Sequence, residues 1–493
     1  MIAPLLRQLG VLLAFSLLGS ACRSSGADSA LAPALPSTRP NIIVVVVDDL
    51  RWDELGVTGH PFLQTPNIDR LATDGAMFTN AFHSVPLCSP NRATILTGQY
   101  PSTHGIIDNV SRARASHGLK TFPQALQRTG YETAFLGKWH MGNDPTPRPG
   151  FDYWVAIPGQ GRSTNPELYE NGRVGEVEGY LTDVLTDRAI SFITRERSEP
   201  FFLYMGHKAI HPDVQQLDDG SADPSTSLGY VPAPRHRGRY AGEEFPLRPN
   251  AVDSIEALTG KPALQRALRR KHASSNEQLE VDQKIIRDRA EMLLAVDDSV
   301  GRIVGALALA GELEDTVIVF TSDNGFWYGE HFLTVERRLP YEESIRTPLL
   351  VRYPPLVQPG TRIDSLVATV DLAPTALHLA QAPVGDHIQG SSLVPLMVGD
   401  TSGWRDSVLI EFYTYENPFN WLLDMDYRAL RTDRYKYIHW MQHPNESELY
   451  DLLEDPYETQ NLIASPAMTA VRTELQQRLR SAVLEASGLM RTP

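Results

Sequence analysis

Four apolar runs of β-strand character are each followed by polar and ionisable residues. The runs are residues 41–47, 132–136, 201–205 and 316–321. Continuous β-branched and aromatic runs are typical of strands buried on both faces. Clusters of polar residues follow at 48–49, 137–140, 206–211 and 323–325. Because ligands bind beyond the carboxyl ends of parallel strands, we expect these clusters to converge on one site.

Segments with helical periodicity lie between these strands. One begins at Asn67, and the others cover residues 122–128, 181–193 and 289–309. Gly130 and Gly311 are placed to end two of these helices. Alternating strands and helices predict an α/β fold with a large, mixed and mostly parallel sheet sandwiched by helices.

The C-terminal part has a different pattern. Residues 407–412, 427–431 and 435–440 predict a smaller antiparallel sheet, and a final helix is expected over residues 468–484. We therefore predict a main domain at residues 40–399 and an α+β subdomain at residues 400–493. The stretch 213–276 is rich in Pro, Gly, Arg and Ser and predicts a long insertion over the site.

The N-terminus carries the features of an exported protein. Arg7 precedes an apolar run, residues 11–18, that is too short to span a bilayer, so residues 1–21 predict a signal peptide. Cys22 resembles a lipid-anchor site of bacterial lipoproteins, although Gly19 stands where leucine is usual, and simple secretion is the alternative. Residues 22–39 predict a flexible tether. We expect a periplasmic protein, an outer-membrane lipoprotein or a secreted protein.

Charge and cysteine content limit the partners and the disulfide bonds that the protein can have. The 493 residues include 45 Lys+Arg and 60 Asp+Glu, a net charge of -15. This acidic balance disfavours a nucleic-acid partner. Because the 2 cysteines are Cys22 and Cys88, the mature domain has no disulfide available, and its stability must come from its core.

Asp48, Asp49, Asp323 and Asn324 form a candidate cation site. Converging carboxylates repel one another unless a counter-charge lies between them. Oxygen ligands of this kind suit a hard divalent cation, Ca²⁺ or Mg²⁺. The alternative is that the two adjacent aspartates only cap a helix after the first strand.

Cys88 lies at the predicted start of a helix that runs to Gly98. In the sequence CSPNRATILTG, Ser89 suits the N-cap and Pro90 the first helical position. Cys88 would then lie where backbone N–H groups favour anions, with Arg92 facing the same way. The alternative, an inert buried thiol, explains neither the proline nor the arginine.

The pattern Cys-x-Pro-x-Arg at residues 88–92 resembles the signature of the type I sulfatases. Residues 130–140 resemble the second signature of that family, and residues 321–325 with 329–331 resemble its second metal-binding segment. Residues 341–348 and 449–452 resemble downstream stretches, so the match covers nearly all of the chain from Pro40. The resemblance implies an alkaline phosphatase-like fold and the hydrolysis of sulfuric esters.

The resemblance also implies a cofactor and a metal. In the family, a maturation enzyme oxidises the cysteine to formylglycine (3-oxoalanine), and the aldehyde hydrate attacks sulfur and displaces the substrate alcohol. Asp48, Asp49, Asp323 and Asn324, with residue 88, would hold the cation, Ca²⁺ with Mg²⁺ as the alternative.

Basic residues take further roles by the same resemblance. Arg92 would steady the hydrate and the metal cluster, and Lys138 would bind sulfate. His140 would act as base on the remaining hydroxyl of the hydrate. His211 would bind substrate and donate the proton to the leaving oxygen, with His207, one turn earlier, as the alternative.

Arg337 departs from the family pattern. The family usually has a sulfate-contacting lysine at this position, and Arg338 follows here. Arginine keeps the charge but presents a planar fork, which could clamp sulfate with two hydrogen bonds or alter turnover.

The leading hypothesis is a sulfatase acting on sulfated carbohydrate, either glycosaminoglycan-like or an algal glycan. The pattern, including residues 180–185 and the Asp297-Asp298 helix, resembles the N-acetylglucosamine-6-sulfatase branch. Two alternatives stay open: a phosphonate or phosphate ester hydrolase of the same superfamily, and an inactive glycan-binding protein that keeps the fold.

Overall fold

A computed structural model describes residues 38–272, 281–414 and 419–489. The predicted signal peptide, Cys22 and most of the tether lie outside these ranges. Among the helices in the described ranges, none has the length and apolar character needed to cross a bilayer.

The strands and helices follow one another in the order expected of an α/β protein. The strands are β1 (Asn41–Val47), β2 (Ala76–Phe78), β3 (Ala81–Phe82), β4 (Glu132–Lys138), β5 (Tyr153–Ile157), β6 (Glu167–Glu170), β7 (Arg173–Glu176), β8 (Phe201–His207), β9 (Gln215–Gln216), β10 (Ala222–Asp223), β11 (Thr316–Ser322), β12 (Leu349–Arg352), β13 (Thr361–Ile363), β14 (Val367–Ala368), β15 (Ser407–Phe412), β16 (Tyr427–Thr432), β17 (Tyr435–Trp440) and β18 (Glu448–Asp451). The helices are α1 (Pro66–Thr73), α2 (Cys88–Thr97), α3 (Pro101–His104), α4 (Ala113–His117), α5 (Phe122–Arg128), α6 (Leu181–Ile193), α7 (Pro262–Lys271), α8 (Gln283–Ala310), α9 (Glu342–Ile345), α10 (Leu372–Leu379), α11 (Val394–Met397) and α12 (Thr469–Ala486).

The four predicted strands are neighbours at the centre of one large sheet. The strand order is β13-β2-β12-β11-β1-β8-β4-β5-β6-β7. Strand β1 pairs in parallel with β11 and β8, and β8 pairs in parallel with β4. The carboxyl ends of these strands therefore lie side by side, although the strands are spread along the chain between residues 41 and 322.

Alternate residues of β1 supply the cores on the two faces of this sheet. Ile42, Val44 and Val46 pack with α2, α5 and α10, whereas Ile43 and Val45 pack with α1, α6 and α8. Both faces of the strand are buried, which is why its sequence lacks polar alternation. The predicted three-layer α/β architecture is confirmed.

The edges of the large sheet were not predicted. Strands β2, β12 and β13 lie on one side and β5, β6 and β7 on the other. Several of these strands have only three to five residues, which is too short for a periodic pattern to be read. Of the predicted insertion at residues 213–276, the structure describes residues 213–272. These are mostly irregular, but they contain α7, whose Ala263, Leu264 and Leu268 are buried.

The C-terminal strands form a separate antiparallel sheet in the order β15-β16-β17-β18. Helix α12 packs on it through Leu475 and Leu479. The antiparallel sheet and the final helix are confirmed, while the domain boundary near residue 399 stays a prediction.

Buried ion pairs join this sheet to the large one. Glu342 of α9 accepts hydrogen bonds from Arg431 at 3.2 Å and from Lys436 at 3.1 Å. The Lys436 ammonium also lies 2.5 Å from Glu458. We call Glu342, Arg431, Lys436 and Glu458 the ionic seam.

Candidate active site

Four acidic or thiol side chains meet at the carboxyl edge of the large sheet. Asp48 and Asp49 follow β1, Asp323 follows β11, and Cys88 begins α2. One ligand atom from each lies within 4.8 Å of those of the others, and all four residues are buried. The carboxylates therefore cluster as the sequence predicts, and the cysteine lies among them.

Two oxygens in this cluster are buried without a hydrogen-bond partner in the described part of the chain. They are Asp48 Oδ1 and Asn324 Oδ1. Burial also raises the pKa of Asp48 and of Asp49, because desolvation penalises the ionised carboxylate. Unsatisfied buried oxygens beside crowded carboxylates are the donor set that a hard cation requires. These residues therefore fit a divalent cation.

Each carboxylate is also paired with one basic side chain. Asp48 accepts a hydrogen bond from Lys138. Arg92 Nε donates to Asp323 Oδ2 at 2.7 Å, and Arg337 Nη1 donates to Asp49 Oδ2 at 2.6 Å. Three negative and three positive side chains thus lie together at this sheet edge. Lys138, Arg92 and Arg337 therefore lie beside the carboxylate cluster, and their roles toward sulfate and metal stay predictions.

Helix α2 places Cys88 at its first residue, and Leu87 is the N-cap. The prediction that Ser89 caps the helix is wrong. Its hydroxyl donates instead to the carbonyl of His140 at 2.7 Å, which fixes the backbone where His140 has a positive φ of 68°. The predicted end at Gly98, with φ 65°, is confirmed.

The Cys88 thiol is fully buried. Burial raises its pKa far above the usual range, because the site disfavours a thiolate. Since the thiolate is the nucleophilic form of cysteine, burial holds the unmodified side chain in its weakly nucleophilic, protonated form.

His140 follows Lys138 at the end of β4. Its Nε2 lies 3.0 Å from Gln160 Nε2 and 2.5 Å from Gln216 Oε1. Burial lowers the pKa of His140 well below its ordinary value, and Lys138 and Arg92 lower it further. The ring is therefore neutral at pH 7, as a proton acceptor must be.

His211 and His207 occupy different environments. Arg337 Nη2 lies 3.2 Å from His211 Nε2, which ties His211 to the carboxylate cluster through Asp49. His207 ends β8, and neither of its ring nitrogens has a partner in the described ranges. The contact with Arg337 favours His211 as the functional histidine, and its role stays a prediction.

Three residues of the site were not found by sequence reasoning. Gln160 accepts a hydrogen bond from Lys138 at 2.6 Å, and Gln216 reaches His140 from β9. Asn91 donates to the carbonyl of Asp323 at 2.8 Å. The two glutamines lie in irregular segments that offer no pattern, whereas Asn91 stands inside the Cys-x-Pro-x-Arg motif and could have been noted.

Two family models match the chain. The model "Sulfatase" matches residues 40–382. The model "N-sulphoglucosamine sulphohydrolase, C-terminal" matches residues 329–485. Together they span both the large sheet and the C-terminal sheet.

Individual relatives agree with these models. The chain is 32% identical to the N-acetylglucosamine-6-O-sulfatase of Bacteroides thetaiotaomicron, over 90% of this chain and 86% of the relative. It is 31% identical to the human N-acetylglucosamine-6-sulfatase, over 77% of this chain and 68% of the relative.

Solved structures share the architecture. A protein in complex with its substrate D-glucosamine-2-N,6-O-disulfate is 31% identical, with a TM-score of 0.78, 92% of this chain covered and 99% of that one. The phosphonate monoester hydrolase of Agrobacterium radiobacter has a TM-score of 0.69 at 23% identity, with 91% and 96% covered. At that identity the second match shows the fold alone.

Proposed function

The chain belongs to the sulfatase family, whose members are sulfuric ester hydrolases, and we propose that it removes sulfate from a sulfated amino sugar of the glycosaminoglycan type. The observation that supports this proposal is the cluster of Asp48, Asp49, Asp323 and Cys88 beside three basic side chains, of which Lys138 and Arg92 are buried and Arg337 is partly buried. The substrates named for two similar proteins, N-acetylglucosamine 6-sulfate and glucosamine 2-N,6-O-disulfate, support the choice of sugar.

We propose that Asp48, Asp49, Asp323 and Asn324, with residue 88, hold a divalent cation, Ca²⁺ in preference to Mg²⁺. The unpartnered oxygens of Asp48 and Asn324 support this assignment. When bound, the cation would supply positive charge for a sulfate oxygen and for the nucleophile. Arg92 would orient Asp323 through its 2.7 Å hydrogen bond.

We further propose that Cys88 is converted to formylglycine by a maturation enzyme, and that the aldehyde hydrate supplies the nucleophile. The buried, protonated thiol supports a need for conversion. Asn91 and Arg92 hold α2 against Asp323, so residue 88 would keep its place relative to the carboxylates whether or not it is modified.

Lys138 and Arg337 would receive the sulfate group. In this structure Lys138 contacts Asp48, and Arg337 contacts Asp49. A sulfate monoester would exchange these partners for its own oxygens, and Arg337 can offer two parallel N–H groups. Gln160 holds Lys138 from the other side and limits how far the ammonium can swing.

His140 would take a proton from the nucleophile, and His211 would give one to the leaving oxygen. Burial lowers the pKa of His211 well below its ordinary value, with Lys138 and Arg337 adding to the effect. His211 must therefore gain a proton before it can donate one. A bound anionic sulfate beside the ring would favour that protonation.

The test is sulfate release by the matured protein, with and without Ca²⁺, from 6-sulfated N-acetylglucosamine, glucosamine disulfate, sulfated algal oligosaccharides and an aryl sulfate. An aryl phosphodiester and a phosphonate monoester are assayed alongside. Release from the amino sugars with Ca²⁺, and its loss in Cys88→Ala, is expected. Faster phosphorus-ester cleavage would replace the proposal with the alternative hydrolase, and binding without any cleavage would indicate a glycan-binding homologue.

Mass spectrometry of the peptide that contains residue 88 tests the modification separately. Co-expression with a maturation enzyme should shift this peptide to the formylglycine mass. An unmodified cysteine in protein that still releases sulfate would overturn the formylglycine proposal and leave the sulfatase assignment standing.

We also propose export, with a lipid anchor on Cys22 or simple secretion. The sequence features of residues 1–22 support it. Incorporation of labelled fatty acid into the full chain, and its absence in Cys22→Ala, would establish the anchor. Recovery of unlabelled protein from the medium would favour secretion.

A further inference from the structure

Two glutamine side chains compete for one nitrogen of His140. Gln160 Nε2 lies 3.0 Å from His140 Nε2, and Gln216 Oε1 lies 2.5 Å from the same atom. Gln160 comes from the segment after β5, and Gln216 from the loop of residues 213–229, which contains β9 and β10. The proposed base is thus held by two separate parts of the chain.

The amide of Gln160 can face His140 only with its N–H₂ group. Its Oε1 accepts a hydrogen bond from the Lys138 ammonium at 2.6 Å, and an ammonium is only a donor. The remaining atom, Nε2, must donate. Gln160 therefore requires a lone pair on His140 Nε2.

The amide of Gln216 can face His140 only with its oxygen, which needs a hydrogen-bond donor. Its Nε2 donates to the carbonyls of Asn109 at 3.1 Å and Gly220 at 3.2 Å. This leaves Oε1 toward the ring, and an amide oxygen only accepts. Gln216 therefore requires a proton on His140 Nε2.

One nitrogen cannot meet both demands at once. A neutral imidazole carries its proton on either Nε2 or Nδ1. His140 Nδ1 is buried and has no partner in the described ranges, so it is the ring nitrogen free to exchange a proton with a reacting group. Whichever glutamine controls Nε2 therefore decides whether Nδ1 carries a lone pair or a proton.

We propose that Gln216 is a positioning residue that sets the base-competent tautomer of His140, and that Gln160 sets the incompetent one when Gln216 is withdrawn. This rests on the proposed role of His140 as base. With Gln216 in place, Nε2 is protonated and Nδ1 can accept a proton. When it leaves, Gln160 donates to Nε2, one proton departs to water, one arrives at Nδ1, and the charge of the ring is unchanged.

The loop of residues 213–229 carries Gln216 to the ring, and a change in its position would withdraw this side chain. Its ends are joined by hydrogen bonds between Asp213 and Gly229 at 2.8 Å and between Leu228 and Asp213 at 2.9 Å. Between them, Ser111 N donates to Asp218 O at 2.9 Å. The tip is also held by Gln216 Nε2, which donates to the carbonyl of Asn109, and by Asn143 Nδ2, which donates to Asp218 Oδ1 at 3.3 Å. The adjacent Gln215 is exposed. Movement of this loop would couple substrate enclosure to activation of the base.

The variant Gln216→Met removes the acceptor and keeps the side-chain length. In the matured, Ca²⁺-loaded enzyme we expect kcat for sulfate release to fall about tenfold, as for partial loss of general base catalysis, with KM changed less than about twofold. Gln216→Glu, which keeps an acceptor, should recover most of kcat. Gln215→Met is the matched control, because this neighbour in β9 points away from the ring, and it should behave as wild type.

Nitrogen-15 NMR of histidine-labelled protein reads the tautomer directly, with His140 assigned by difference from His140→Ala. Wild type should show a protonated Nε2, and Gln216→Met a protonated Nδ1. The double variant Gln160→Glu/Gln216→Met should return to a protonated Nε2, because a carboxylate at residue 160 accepts from both Lys138 and the ring.

If wild type releases sulfate, two results would overturn the inference. One is an unchanged His140 tautomer in Gln216→Met, and the other is an equal kcat in Gln216→Met and Gln215→Met. A tautomer exchange in a protein that released no sulfate would instead count against the proposed function and leave the inference standing.

Discussion

Arg337 connects the carboxylate cluster to His211, the proposed proton donor. Its two terminal nitrogens contact different residues, Asp49 at 2.6 Å and His211 at 3.2 Å. A lysine has one ammonium group and cannot reach both with the same fixed geometry. The arginine that departs from the family pattern is therefore matched to its surroundings here.

We predict that Arg337→Lys keeps the ion pair to Asp49 but loses the fixed contact with His211. The rate of sulfate release should fall about tenfold, with a smaller change in thermal stability. Steady-state kinetics and a thermal melt check this. Arg338→Lys is the control, because Arg338 pairs with Glu336 and not with the cluster. A larger loss in the control than in Arg337→Lys would contradict the assignment.

Single residues at the site were predictable where chemistry leaves a local motif. Asp48, Asp49, Cys88 and Asp323 stand at strand ends or at a helix start, and the structure brings them together. The cap at Ser89 was mispredicted because the helix begins two residues earlier, at Cys88, which frees the hydroxyl to bind the backbone of His140. Gln160 and Gln216 depend on loop conformation, which no local pattern encodes.

At the scale of elements, α2 depends on the glycine that ends it. Gly98 has φ 65°, and a Cβ there would lie 2.9 Å from Ile388 Cγ2 and 3.0 Å from Ala373 Cβ. A side chain would meet both backbone strain and a packed neighbour. The end of this helix is thus fixed by the helix it packs against, α10, as well as by its own sequence.

We predict that Gly98→Ala lowers the free energy of unfolding by about 2 kcal/mol. Gly105→Ala is the matched control, because Gly105 has a similar φ of 75° but no atom within 4 Å of an added Cβ. It should lose only about 1 kcal/mol, the strain component. Urea denaturation measures both, and equal losses would show that contact with α10 is unimportant.

Helix α8 caps α1 through Asp297. Its carboxylate accepts hydrogen bonds from the backbone N–H groups of Asn67 and Ile68, both at 2.9 Å. Burial nevertheless raises the pKa of Asp297 to about 6. A raised carboxyl pKa stabilises the fold below the unfolded pKa near 4, and that contribution is lost as pH rises through 6.

We predict that the stability of wild type relative to Asp297→Asn declines between pH 4 and pH 7, by about 2–3 kcal/mol. The reason is that ionising Asp297 costs free energy in the folded state, whereas asparagine does not titrate. Denaturation at several pH values gives the difference, and Asp298→Asn, which removes a partly exposed ion pair to Arg235, is measured alongside. If the stability of wild type relative to Asp297→Asn increases with pH, the predicted direction is wrong.

At the scale of the whole molecule, the two sheets are joined by charge as well as by apolar packing. Lys436 is fully buried and pairs with both Glu342 and Glu458 across the ionic seam. Removing one partner of a buried pair leaves the other uncompensated, at a cost of about 3–5 kcal/mol.

We predict that Lys436→Met lowers the free energy of unfolding by about that amount, because two glutamates lose their shared cation. Lys284→Met is the control, since Lys284 forms an exposed i,i+4 pair with Asp288 and should lose less than about 1 kcal/mol. Chemical denaturation followed by tryptophan fluorescence and by circular dichroism checks both. A loss below 1 kcal/mol in Lys436→Met would mean that the seam does not stabilise the molecule.

The centre of the fold was predictable and its margins were not. Strands β1, β4, β8 and β11 are buried on both faces, so their central residues are mostly apolar and the polar residues at their ends stand out. Edge strands such as β2 and β13 have three residues each and owe their conformation to neighbours distant in sequence. The ionic seam likewise consists of charged residues that a sequence reading places on the surface.

The balance of three carboxylates against Lys138, Arg92 and Arg337 bears on whether folding depends on a metal ion. Because the polypeptide brings its own counterions to the sheet edge, the closed fold needs no metal to offset repulsion there. Under the proposed export, the chain would not have to reach a compartment rich in the ion before it folds. The proposed cation would make this neutral centre positive, and an anionic ester would relieve that charge, so each should tighten the binding of the other.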